Sequence, residues 1–352
     1  MKKLVVILLW SILLPGCTTT PGYLSNNTWR EHGITSLETI RVNGLKHAVL
    51  IRGTDTRNPL VVFIHGLGIP SMCFAHYEYA QSDAPLEKLA TVVHYDQRGY
   101  GKTYIHGKRR SKYLTVNQFV SDAEAIVDSI RHRFHREKVY LVCESWGCVI
   151  GLHLVEIHPE WFHAVFTLGQ NNNVQEYLKD VHAWCMQNAE KENNLKAQIS
   201  LSKYGYPTPF MSRRQAFKAY MNTAEWMYHY EEQMYGPDSG QSKFFTALWE
   251  APEYHLYDFL HSITAYMKTQ KRMIKELLTI DMETDVPAVA VPVYMIMGER
   301  DFWLVQARRY FDRLEAPEKK MFVIHDAGHI VRGDKPEEVE KILFSVIGST
   351  AR

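Results

Sequence analysis

The stretch that most constrains this chain is a strand, a serine and a helix with almost nothing between them. Val139-Tyr-Leu-Val142 is an apolar run of strand type, Cys143-Glu144-Ser145-Trp146-Gly147 follows, and helix-like sequence runs from Cys148 to Ile157. A turn from strand to helix within so few residues is sharp. It needs small flanking residues and lifts its central side chain clear of the sheet. Gly147 meets that need on one side, whereas Cys143 stands where a glycine is usual on the other. The turn also aims a helix N-terminus at Ser145, which favours negative charge developing there. A lone Ser-x-Gly also occurs in ordinary loops, so the reading depends on the rest of the chain.

Two residues complete it in order. Pro292-Val-Tyr-Met-Ile-Met297 reads as a buried strand running into Gly298-Glu-Arg-Asp301, and Lys320-Met-Phe-Val-Ile324 as another running into Asp326-Ala-Gly-His329. Asp301 and His329 thus lie just past strand ends, where open α/β sheets place functional groups. The order Ser145, Asp301, His329 is that of an α/β-hydrolase triad. In that scheme His329 takes the Ser145 proton, and Asp301 fixes the imidazole tautomer and stabilises the imidazolium. The Gly-rich loop His65-Gly66-Leu67-Gly68 follows the strand Leu60–Ile64. The backbone N–H groups of Leu67 and Trp146 are therefore the expected oxyanion hole.

With Asp96-Gln97-Arg98-Gly99-Tyr100-Gly101-Lys102-Thr103 after a strand, Ser145-Trp146-Gly147, and Gly169-Gln170 leading into a helical insertion, the chain resembles the prolyl aminopeptidase branch of the α/β-hydrolases. The resemblance runs from about Ile40 to the C-terminus. It implies the triad Ser145, Asp301 and His329, a helical cap, and no cofactor. Two departures bear on substrate rather than fold: the family's usual His-Gly-Gly-Pro-Gly is here His65-Gly66-Leu67-Gly68-Ile69-Pro70, and the elbow begins with Cys143.

The expected fold is α/β: an α/β-hydrolase fold with a mostly parallel central sheet, flanking helices and an inserted helical cap. Strands are expected near Glu38–Val42, His47–Ile51, Leu60–Ile64, Val92–Tyr95, Val139–Val142, Ala164–Leu168, Val293–Met297 and Met321–Ile324. Apolar residues at i, i+3, i+4 spacing predict helices over Thr115–Phe134 and Pro336–Ile347. Alternating strands and helices imply a sheet covered on both faces. The core is then 37–170 with 287–352, and the cap 171–286. The cap is rich in aromatics, among them Tyr177, Trp184, Tyr220, Trp226, Tyr228 and Tyr230, most of which should form its own core. In the family, cap acids hold the free α-ammonium of the substrate. Glu225 and Glu250, each beside a tryptophan, are the candidates for that role, although a solvated helix face explains most such residues.

Charge excludes other classes. Forty Lys and Arg against 39 Asp and Glu give a formal charge of +1, so nothing points to nucleic acid. The basic run Arg131–Arg136 closes a helix, where cations complement its dipole. No His-Glu-x-x-His run occurs among the 17 histidines, and His153 and His158, five apart, point to different helix faces, so no metal is expected. Cys143 and Cys148 should pack as small apolar residues.

The N-terminus reads as an export signal. Met1-Lys2-Lys3 precedes an apolar run from Leu4 to Leu14, too short to span a bilayer. Leu14-Pro15-Gly16-Cys17 resembles a bacterial lipobox, which makes Cys17 the expected lipidation site, 1–17 the signal and 18–36 a tether. An ordinary secretory signal and an uncleaved anchor are the alternatives. Thr18 replaces the Asp that retains some lipoproteins in the inner membrane, which points to the outer membrane or cell surface. The expectation is an exported serine hydrolase, membrane-attached through its N-terminus. Its substrate would be a peptide with a free, often prolyl, N-terminus, or alternatively a small ester or amide. A hydrolase-fold lipoprotein that only binds a ligand or partner is the reading from a different class.

Overall fold

The computed structural model describes residues 32–68, 72, 73, 75, 85–107, 113–235 and 247–350. Cys17, the signal segment and most of the tether lie outside the described residues.

Among the described residues eight strands form one sheet: β1 (Ile34–Val42), β2 (Leu45–Gly53), β3 (Leu60–Ile64), β4 (Thr91–Tyr95), β5 (Val139–Glu144), β6 (Phe162–Leu168), β7 (Val293–Gly298) and β8 (Lys319–Ile324). Their spatial order is β1-β2-β4-β3-β5-β6-β7-β8. The hairpin β1–β2 and the β2–β4 pair are antiparallel, and every pairing from β4 through β8 is parallel. This is the mostly parallel α/β-hydrolase sheet that the sequence predicts. The main difference is length: β1 and β2 each run nine residues, because nine register pairs between them extend the hairpin beyond its apolar centre.

Alternate side chains of the central strands feed two cores, as the period of two requires. Val62, Ile64, Leu141, Cys143, Val165, Met295 and Met297 face one side. There they meet helix α2 (Val116–Arg133), which follows the seven-residue α1 (Gly101–Gly107), through Phe119, Val120, Ala123, Ile126, Val127 and Ile130, and helix α3 (Trp146–Ile157). α2 starts where Thr115 accepts a hydrogen bond from the Gln118 N–H, satisfying one of the donors a helix start leaves open. Val61, Phe63, Tyr140, Val142, Phe166 and Ile296 face the other side, against Val339, Leu343 and Ile347 of the C-terminal helix Pro336–Thr350. Burying each such aliphatic chain stabilises the fold by roughly 1.5–3 kcal/mol.

Between β6 and β7 the chain leaves the sheet for helices α4 (Val174–Lys191), α5 (Leu195–Tyr204), α6 (Arg213–Tyr235) and α7 (Leu256–Leu277). Asn173 and Asn194 cap the first two through their side-chain oxygens. A small core of Val181, Cys185, Ala189, Leu201, Trp226 and Tyr230 joins three of them. Tyr254 ties this region to the sheet by donating its hydroxyl to Asp96 Oδ1 at 2.7 Å. Among the described residues no helix is long and apolar enough to cross a membrane.

Candidate active site

Ser145 lies between β5 and α3 with φ 53° and ψ −117°. Such a conformation costs a non-glycine residue on the order of 1–3 kcal/mol and persists only where the surroundings impose it. They do so through crowding. A Cβ on Gly147 would lie 2.1 Å from the Ile64 carbonyl oxygen, so the first turn of α3 rides against the end of β3. A Cβ on Gly66 would lie 3.0 Å from the Ser145 Cβ. Cys143 fits the glycine position of the elbow because Gly151 faces it: a Cβ there would be 2.1 Å from the sulfur. Cys143 and Cys148 are fully buried, and burial pushes both thiols well above the usual range, which rules against a thiolate nucleophile here.

His329 connects the other two residues. Its Nε2 lies 2.8 Å from Ser145 Oγ and its Nδ1 2.9 Å from Asp301 Oδ2. Asp301 is almost fully buried, and its second oxygen accepts the Trp303 N–H at 3.0 Å. That leaves Nδ1 as the proton-bearing nitrogen and Nε2 as the acceptor for the Ser145 hydroxyl. Desolvation works to lower the His329 pKa. The Asp301 charge and hydrogen bond, with Glu144 and Glu231 further out, outweigh it and hold the imidazole above its ordinary value. Gly169, at φ 60°, makes room for this histidine; a Cβ there would approach its carbonyl oxygen to 2.7 Å and its ring to 3.1 Å.

The neighbouring positions of β3 and β5 in the sheet set Leu67 beside the elbow, and both Leu67 and Trp146 line the cavity above Ser145. Trp146 is the first residue of α3, so its N–H has no partner within the helix. Its side chain is locked in the core, edge-on to Phe119, with the indole N–H donating to Gln97 Oε1 at 3.1 Å. The Gln97 amide in turn donates to the His65 carbonyl, and its backbone N–H donates to His65 Nε2 at 3.0 Å. Gln97 therefore couples both loops that carry the expected oxyanion donors. The motif Asp96–Thr103 contains Gln97 but not its role, which needs the strand order β4-β3-β5.

The cavity over Ser145 measures about 390 Å³ and is roofed by Tyr177, Tyr220, Met227, Tyr228 and Tyr266. Here one sequence expectation is corrected. Glu225 and Glu250 are both exposed, and neither lines the cavity. Adjacency to tryptophan misled, because consecutive helical residues point about 100° apart and burial of Trp226 turns Glu225 outward. Glu231 and Glu144 line the cavity instead. Burial pushes each up to about 7, with His329 nearby working the other way in both cases. Glu231 follows Met227 and Tyr228 at i+4 and i+3 on α6, a spacing that could have marked it as cavity-facing. Among the described residues no cluster of three or more His, Cys, Asp or Glu is placed to hold a metal ion.

Comparison with known proteins agrees with this arrangement. The model of the Alpha/beta hydrolase family matches residues 61–342. The chain is similar to a probable aminopeptidase, YbaC, of Bacillus subtilis, at 26% identity over 324 residues that cover 87% of this chain and 94% of that protein. It is also similar in structure to the proline iminopeptidase of Mycobacterium smegmatis, with a TM-score of 0.62 at 16% identity over 89% of this chain and 98% of that one. An epoxide hydrolase of Vigna radiata, VrEH1, gives a TM-score of 0.55 at 18% identity, covering 90% and 98%. With the family match spanning most of its length and the sheet carrying the same topology, the chain belongs to the alpha/beta hydrolase family, and it is a hydrolase.

Proposed function

We propose that this hydrolase acts through Ser145, His329 and Asp301 and releases N-terminal residues, proline among them, from peptides. The observation that carries the reading is the pair of 2.8 and 2.9 Å contacts linking Ser145 Oγ, His329 and Asp301 at the floor of a cavity that Glu144 and Glu231 also line.

In the first step Ser145 Oγ attacks the acyl carbon while His329 Nε2 takes its proton. The resulting oxyanion is met by the N–H groups of Leu67 and Trp146; one such donor contributes about 3 kcal/mol to the transition state. Collapse breaks the C–N bond, and His329 returns the proton to the leaving amine. Water, deprotonated by the same nitrogen, then attacks the acyl-enzyme and restores Ser145. An ionised Glu231 suits the free α-ammonium of the substrate, since a desolvated carboxylate gains most from a cation. The similarity to a probable aminopeptidase over nearly the full chain supports this substrate class.

We also retain the exported, lipid-anchored state as a proposal, supported by the basic head, short apolar run and Cys17 of the sequence. Metabolic labelling with a radioactive fatty acid tests it: label should enter the wild type and be absent from Cys17→Ala.

The deciding experiment for function is turnover of proline p-nitroanilide, with Ser145→Ala as the blank. Cleavage abolished in the blank is the expected result. Failure to cleave the anilide by a preparation that still hydrolyses a p-nitrophenyl ester through Ser145 would assign the protein to the ester hydrolases.

A further inference from the structure

The residue immediately before the nucleophile has no part in the scheme above. Glu144 ends β5, is 8% exposed and lines the same cavity as Ser145. Its Oε1 is buried without a hydrogen-bond partner. Leaving a carboxyl oxygen buried and unsatisfied costs on the order of 1–3 kcal/mol, so a native fold retains one only where something else repays it.

Charge on the cavity wall says what that could be. Among the described residues the acids lining it are Glu144, Glu231, Asp301, Asp326 and Asp334, and the bases are Arg300, Lys335 and His329. Asp301 is committed to His329, and Asp334 accepts the Gly328 N–H at 2.8 Å. Both Arg300 and Lys335 pair with Asp326, and among the described residues neither forms an ion pair with Glu144 or Glu231. The carboxyls that remain come from two layers, Glu144 from the sheet and Glu231 from α6. We propose that Glu144 is a second anchor for the substrate's ammonium group, holding it from the sheet side while Glu231 holds it from the cap side. The inference rests on the aminopeptidase reading for its substrate class.

Position favours an α-ammonium over a side-chain cation. Glu144 is next to the nucleophile in sequence, and an α-ammonium is separated from the scissile carbonyl carbon by one atom. Burial adds a consequence: with its carboxyl pushed up to about 7, Glu144 is largely protonated below that pH and gives up its proton when a cation arrives.

The test is calorimetric binding of L-prolinamide to the full chain carrying Ser145→Ala, which prevents turnover, with neutral cyclopentanecarboxamide as the uncharged match. Prolinamide should bind at least tenfold more tightly than the neutral amide, and Glu144→Gln should remove about tenfold of that preference. Nα-acetyl-lysinamide, whose charge is remote, should show no such preference. An unchanged preference in Glu144→Gln, or equal binding of the two amides by the parent, would overturn the proposal. Should the Gln variant fail to fold, Ser145→Ala combined with Glu231→Gln decides, because the second carboxyl that burial pushes up to about 7 is then removed and Glu144 is left. At pH 6.5 prolinamide binding should release protons, seen as a dependence of the heat on buffer ionisation enthalpy, and no release would overturn the assignment. The aminopeptidase reading is scored separately on proline p-nitroanilide. Glu144-dependent binding without cleavage keeps the subsite and removes that reading; cleavage with an unchanged KM in Glu144→Gln removes the subsite and keeps the reading.

Discussion

The sulfur of Cys143 occupies the space that a Cβ on Gly151 would need, at 2.1 Å from that position. The elbow therefore keeps its tight strand-to-helix contact although its first small residue has been replaced. The room comes from Gly151, one helical turn past Gly147 in α3.

That exchange predicts a coupled pair. Gly151→Ala should destabilise the protein by about 1–3 kcal/mol through overpacking. In the double variant with Cys143→Gly the added methyl has room, so the two changes should cost less together than the sum of each alone. Urea unfolding of the four chains measures the coupling.

Ser145→Ala should lower turnover of a p-nitrophenyl ester by on the order of 10⁵-fold and abolish labelling by a fluorophosphonate. Because Ser145 is held at φ 53°, the variant should not be less stable than the wild type by more than the loss of its contacts at the cavity floor. Labelling at wild-type intensity in the variant would remove Ser145 from its role.

Asp301→Asn should leave the fold intact yet lower kcat by about 10⁴-fold, because an amide at this position can donate to Nδ1 and turn the imidazole to the wrong tautomer. The 2.9 Å contact from His329 Nδ1 to Asp301 Oδ2 makes that inversion direct. Steady-state kinetics on the ester, with circular dichroism as the control, checks it.

The pH profile follows from the charges around His329. Its pKa is raised, so kcat/KM should climb with a midpoint above 6.5 as the imidazole loses its proton. Glu231 is one of the groups that raise it, so Glu231→Gln should move the rising limb to lower pH. A neutral p-nitrophenyl ester is the substrate for this measurement, since it has no ammonium for Glu231 to bind. A limb moved to higher pH would contradict the charge argument.

Tyr254→Phe tests the tie between the inserted helices and the sheet. Asp96 is fully buried, and burial pushes its carboxyl up to about 7 against the Tyr254 and Lys102 hydrogen bonds, which favour the charged form. The lost hydroxyl should cost about 1.5–3 kcal/mol where Asp96 is ionised. The sign with pH is fixed: a raised acid binds its proton more tightly folded than unfolded, so this group's contribution to stability falls as pH rises through that window. The Tyr254→Phe penalty should accordingly be larger above pH 7 than below it. Unfolding midpoints at two pH values measure the difference.

Much of this was legible in the sequence because it depends on local periodicity. Alternating or apolar runs of four or five residues mark the eight strands of the described sheet. A serine with Gly147 behind it marked the elbow, and Asp301 and His329 declared themselves by following strands. The acids could not be read the same way. Glu225 and Glu250 each sit beside a tryptophan, but neither Trp226 nor Trp249 lines the cavity and both carboxyls are exposed, whereas Glu144 and Glu231 share the cavity although they lie far apart in the chain.

The strands, the family and the placing of Ser145, Asp301 and His329 just past strand ends are each encoded within a few positions, whereas the individual helices between β6 and β7 are not delimited by sequence. Tertiary structure alone decided which carboxyls face the cavity, that Gly151 makes room for Cys143, and that Gln97 joins the two loops beside Ser145. Those are properties of strand order and helix rotation. Both arise from the burial of whole faces, which no short stretch of sequence contains.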